Sequence, residues 1–266
     1  MKILALLAAF GLLIPVARPQ RFRDTRWLAG LVRRAGGSDQ PSWLPVLAIL
    51  ATALLVGALA VAVFEALLGR FGALLVGTAT VFLTLGPRSL DDDVRHAAGD
   101  DDPEERAAAL RALHLDRTAP RGAAAAAALH AALARWFGVI FWFVVLGVPG
   151  ALLYRAVRIA RHVDTLTDGQ RARVRQLLAV LNWPVVALVT ASVGLMTDLD
   201  RAAAAFRSRS DRWDMPAALL DDLAAGLCEG EGGLAEGLED GRRLAGRVLA
   251  LWLVVLSVLL LAGWLS

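Results

Sequence analysis

Cysteine, lysine and tyrosine are almost absent from the chain: Cys228, Lys2 and Tyr154 stand alone. A single cysteine excludes an intramolecular disulfide and a cysteine-based metal cluster, leaving Cys228 as an inert thiol. A single lysine at the second position excludes a phosphate-binding loop, in which backbone N–H groups and one ammonium meet the phosphates. There is no His-Glu-x-x-His pair, and His96, His114, His130 and His162 lie far apart, so a zinc site would have to be assembled by folding alone. No Gly-x-Ser-x-Gly elbow occurs either. No catalytic residue, metal or cofactor is therefore expected. The arginines are spread over every loop and mixed with acids. Nucleic acid would require them on one face with aromatic platforms, so it is not expected as a partner.

Apolar residues, by contrast, make up 57% of 266 positions, with a mean hydropathy of +0.56. They fall in uninterrupted blocks, which points to a lipid bilayer as the solvent. The expected fold is all-α: a polytopic integral membrane protein, one membrane domain over 1–266, with about four to six apolar helices and helical surface loops. The apolar blocks are 3–17, 44–68, 71–85, 137–153, 177–196 and 248–265. The first has the basic start and short apolar core of a signal peptide, but Pro15 spoils a cut after Ala17, so an uncleaved helix is expected. Block 71–85 is short enough to be re-entrant. Block 177–196 carries Asn182, Trp183 and Pro184 and is expected to lie along the membrane surface.

The polar loops are 18–43, 86–136, 154–176 and 197–247, the last with a glycine-acid stretch from Glu229 to Gly241. If 71–85 spans, the arginine-rich loops 18–43 and 154–176 fall on opposite sides of the membrane; if it re-enters, both are cytoplasmic. The run Asp91, Asp92, Asp93 beside Arg88 and Arg95 reads as a ligand site or as a local ion network next to the membrane. Asp100, Asp101 and Glu104 have the spacing with which some membrane transferases hold Mg²⁺ and a diphosphate, while a run of like charge before a proline also reads as a solvated turn and helix cap. Pro103, Glu104 and Glu105 suit the first turn of a helix.

The most specific stretch runs from Gly147 to Arg155. Gly147, Pro149 and Gly150 predict a structural kink, while Tyr154 and Arg155 are the candidate ligand residues, Arg155 as the holder of an anion or as a snorkelling anchor.

Phe141-Trp142-Phe143 followed by Gly-x-Pro-Gly-Ala-x-x-Tyr-Arg resembles the AmpE and CobD/CbiB superfamily of bacterial inner-membrane proteins. Ser89 to Val94, Leu181-Asn182-Trp183 and Gly194 extend the likeness over most of the chain. The cobalamin branch carries an Asn-Thr-Leu-Asp-like segment soon after the shared tyrosine, where this chain has Ala156 to Arg161. The resemblance to the AmpE branch is closer and implies a multi-pass inner-membrane modulator of β-lactamase induction, linked to peptidoglycan recycling and antibiotic response. Its implied partners are the lipid bilayer and an AmpD-like amidase or an anionic cell-wall fragment. The alternative is a membrane-bound transferase or ligase of cobalamin biosynthesis.

Overall fold

The computed structural model describes residues 4–6, 8–9, 30, 43–85, 89–99, 102–164, 166–196, 215–227 and 232–262. Among them every regular element is a helix. In chain order these are α1 (Leu44–Leu68), α2 (Arg70–Thr84), α3 (Leu90–Ala98), α4 (Pro103–Leu113), α5 (Arg121–Ala132), a π-helical turn (Leu133–Phe137), α6 (Gly138–Leu146), α7 (Val148–Ala160), α8 (Asp168–Met196), α9 (Met215–Leu227) and α10 (Leu234–Leu261). Among the described residues three helices are long and apolar enough to cross a membrane: α1, the run Arg121–Leu146, and α8. Only 17% of the apolar window of α1 is buried within the protein, so most of its leucines need an apolar solvent outside it.

The chain divides into two compact units. The first comprises Met1–Pro87, Gly138–Leu181 and Leu253–Ser266. Here α1 reverses into α2 at Gly69, whose φ of 60° favours a residue without a Cβ. Helix α1 also packs on α7, and α2 packs on both α6 and α7. The α1–α7 contact is close because Gly57 lies against Pro149: a Cβ there would come within 2.6 Å of the proline Cα. The core of this unit is built on Phe143, Ile140, Tyr154 and Val81, all buried.

The second unit comprises Arg88–Phe137 and Asn182–Trp252. Its centre is the alanine-rich α5, against which α9, α3 and α4 pack. Helix α10 reaches α5 through Gly237 and Gly241, four residues apart, which sit on Ala124, Ala125 and Ala128. Small residues on both sides let two helix backbones approach closely. Ser89 caps α3 by accepting from the Asp92 amide at 2.9 Å. Asp102 caps α4 by accepting from the Glu104 amide at 2.8 Å. These are the orphan donors that a helix start leaves to be satisfied.

Block 177–196 belongs to the unbroken 29-residue helix α8, which passes through Pro184; a proline removes one i→i−4 bond without ending a helix whose other turns are held. Two stretches differ from the sequence expectation. The stretch expected as loop 154–176 holds the last turns of α7 and the start of α8. Within 197–247, α9 and the first half of α10 are helical, and the glycines read as loop-formers at 237 and 241 are packing residues. Apolar block 248–265 forms the second half of α10 as far as Leu261. Of block 3–17 only residues 4–6 and 8–9 are described, and these are helical. Nearly all of loop 18–43 lies outside the described residues, as do Asp100, Asp101 and Cys228.

Candidate functional site

The sequence candidates fall into two groups, one in each unit. Asp91, Asp92, Asp93 and Arg95 open α3 in the second unit. Successive residues on an α-helix point roughly 100° apart, so three adjacent carboxylates cannot converge on one ion. They diverge as that geometry dictates. Asp91 accepts from Arg242 of α10 at 2.9 Å, Asp92 accepts from Arg95 of its own helix at 3.1 Å, and Asp93 accepts from Arg135 of the π turn at 2.6 Å. Among the described residues no group of three metal-ligating side chains forms.

These pairs differ in their surroundings. The Asp93 side chain is 0% exposed and that of Arg135 13%, whereas Arg95 is 71% exposed. Arg242 also donates to both oxygens of Glu239, at 2.8 Å each, and Arg243 donates to Glu239 as well. The two guanidinium groups hold the Glu239 carboxyl down to about 2, chiefly through the Arg242 hydrogen bonds, and the same contacts raise Arg242 above its ordinary value. Arg121 of α5 donates through Nε and Nη2 to one Asp240 oxygen, at 2.9 and 2.7 Å. Two histidines join the network, His96 with Glu105 at 3.1 Å and His130 with Asp221 at 3.0 Å. Sequence reasoning anticipated a local ion network around Asp91 to Asp93. It missed Arg135 and Arg242, whose distance along the chain gave no signal; the helix cap expected in the acidic run before Pro103 is Asp102.

Gly147, Pro149, Gly150, Tyr154 and Arg155 belong to the first unit. Gly147 separates α6 from α7 with a φ of 73°, a conformation that side chains with a Cβ rarely adopt. Pro149 follows in the first turn of α7, where its missing N–H costs nothing. Gly150 lies under the Trp142 carbonyl with no room for a Cβ. Tyr154 is 0% exposed. Its ring fills the space that a side chain at Gly138 would need, and Arg158 donates to its hydroxyl. Arg155 is half-buried beside it. The Trp142 indole donates to the Leu181 carbonyl at 3.1 Å, close before Pro184 interrupts the bonding of α8. Two segments that the sequence analysis quoted separately, around Trp142 and Leu181, therefore meet.

The kink also borders a cleft. Gly147, Val148 and Pro149 line a cavity of 430 Å³ together with Ala58, Ala62, Ala73, Gly77 and Glu65. A second cavity of 220 Å³, in the other unit, is lined by Arg121, Asp240, Arg243 and Arg247 among others.

No protein-family model, curated protein or solved structure matches the chain.

Proposed function

We propose that the chain is a multi-pass protein of the bacterial cytoplasmic membrane, of the AmpE type, that modulates β-lactamase induction in step with peptidoglycan recycling. In this reading it acts by binding, with an anionic cell-wall fragment or an AmpD-like amidase as its partner, and all six apolar blocks associate with the bilayer. The observation that carries the reading is how the motif of the resemblance is used. Gly147, Gly150 and Tyr154 are each committed to packing at one helix junction, and the junction presents half-buried Arg155 at its edge. A guanidinium so fixed suits a planar carboxylate or phosphate partner. The engagement of Asp91, Asp92 and Asp93 by three arginines supports an ion network over a ligand site at that run.

The test is complementation of a chromosomal deletion, reading β-lactamase activity after exposure to a β-lactam. Loss of the gene should alter induction and the wild-type chain should restore it. Arg155→Ala and Arg155→Lys, at equal membrane abundance, should both fail to restore it. If lysine performs as wild type, Arg155 is an anchor. A deletion that leaves induction untouched but abolishes corrinoid-dependent growth replaces this reading with the transferase.

A further inference from the structure

The cleft of the first unit has one lining residue that packing does not explain. Its walls are apolar, with Ala62 of α1, Ala73 of α2, Phe143 and Leu146 of α6 and Pro149 of α7 among them, and Glu65 is the single ionisable group of the lining. Glu65 is also the only ionisable residue of α1. Its side chain is exposed, and among the described residues no ion pair or side-chain hydrogen bond engages its carboxylate. An acid on an otherwise apolar spanning helix is costly unless something compensates it.

Depth along α1 narrows the compensating partner. Its 25 residues, at about 1.5 Å each, make about 37 Å against a hydrocarbon core of about 30 Å, so the last turn reaches the headgroup layer. Glu65 lies in that last turn. The next ionisable residue along the chain, Arg70, begins α2 just past the Gly69 reversal and is likewise exposed. An acid and a base therefore flank one hairpin at headgroup depth, beside a cleft of 430 Å³ with apolar walls. That volume, with apolar walls and a single placed polar group, is the usual make-up of a small-molecule site.

The geometry points to a lipid site: the cleft takes an acyl chain of a zwitterionic phospholipid whose primary ammonium is held by Glu65 and whose phosphate is met by Arg70. A primary ammonium offers three N–H donors to the carboxylate. A quaternary ammonium offers none, and a glycerol headgroup carries no positive charge, so the site selects phosphatidylethanolamine over phosphatidylcholine and phosphatidylglycerol. This inference rests on the membrane reading of α1 and is independent of any role in induction.

The experiment uses the full chain reconstituted into vesicles of equal parts phosphatidylethanolamine, phosphatidylcholine and phosphatidylglycerol, extracted in mild detergent, with the retained lipid identified by mass spectrometry. Wild type should retain phosphatidylethanolamine in excess of its bulk share. Glu65→Gln, which keeps shape and removes charge, should lower the retained ratio of phosphatidylethanolamine to phosphatidylcholine about tenfold, or to parity where the wild-type ratio is smaller, through the loss of one charge-assisted hydrogen bond. Glu65→Asp should keep part of it. Ala62→Phe, which fills the cleft, should lower total retained lipid. Enrichment unchanged in Glu65→Gln, equal retention of phosphatidylglycerol, or displacement by free ethanolamine at the same concentration each overturns the proposal. Carbonate extraction of the same membranes separates the two failures. A chain that stays in the membrane but shows no lipid preference refutes the site alone, and a chain released by carbonate refutes the membrane reading beneath it.

Discussion

Removing the carboxylate of Asp93 should be among the most damaging single changes outside the apolar core. The Asp93 side chain is 0% exposed and its Arg135 partner 13%, with 2.6 Å between them, so truncation to alanine leaves a guanidinium that water reaches poorly. Breaking one side of such a pair costs about 3 to 5 kcal/mol, which for a chain of this size lowers Tm by roughly 6 to 20 °C. Replacing both partners by apolar residues of similar volume removes the stranded charge. The double variant Asp93→Leu, Arg135→Met should therefore recover most of the loss, since such replacements are often neutral. The internal control is Asp92→Ala. It breaks the pair with Arg95, which is 71% exposed, and should cost below about 1 kcal/mol through that pair. Denaturant titration of the detergent-solubilised chain, followed by tryptophan fluorescence, reads all three. If Asp93→Ala costs no more than Asp92→Ala, or if the double variant is no better than the single, the pair is hydrated and the reasoning fails.

Two further perturbations test the packing and the charges. Gly138→Ala should destabilise by about 1 to 3 kcal/mol, because its Cβ meets the ring of the fully buried Tyr154; Gly246→Ala, with nothing within 4 Å, should stabilise by up to about 1 kcal/mol, and thermal melts of the two should move in opposite directions. Glu239, held down to about 2 against an ordinary value of 4.5, contributes stability that is fully present above 4.5 and is lost as pH falls from there toward 2; with a third of its side chain exposed the contribution is about 1 kcal/mol, and the melts of Glu239→Gln should differ from wild type at pH 6 and converge with it near pH 2.

The apolar blocks made the longest elements legible. Leu44–Leu68 coincides with an uninterrupted apolar run because glycine and arginine bound it on one side and Trp43 and Pro45 on the other. Segment 177–196 is an apolar helix as its run of apolar residues indicates, and its extension back to Asp168 is hidden by the polar composition of 168–176. Gly237 and Gly241 read as loop-formers because, in isolation, glycine disfavours a helix; only the alanines of α5, more than a hundred residues earlier, show what the missing side chains make room for. The same limit applies to the candidate site. Asp91 to Asp93 stood out as a run, and Gly147 to Tyr154 as a kink, since both are local. Their partners Arg135, Arg242 and Gly138 are brought to them by folding.

Helix α3 is nine residues long, shorter than the roughly 12 to 15 residues at which an isolated helix becomes even marginal in water. Its formation is therefore conditional. The Ser89 cap offsets part of the nucleation cost, and the rest comes from outside the segment: from the burial of Leu90, Val94 and Ala97 and from Arg135 and Arg242 closing on two carboxylates of its first turn. Because so short a helix is held from outside, loosening one of these contacts lowers the stability of the whole segment and with it the other contacts that it makes. A nine-residue segment of this kind works as a rivet: it takes its shape from the elements that it joins.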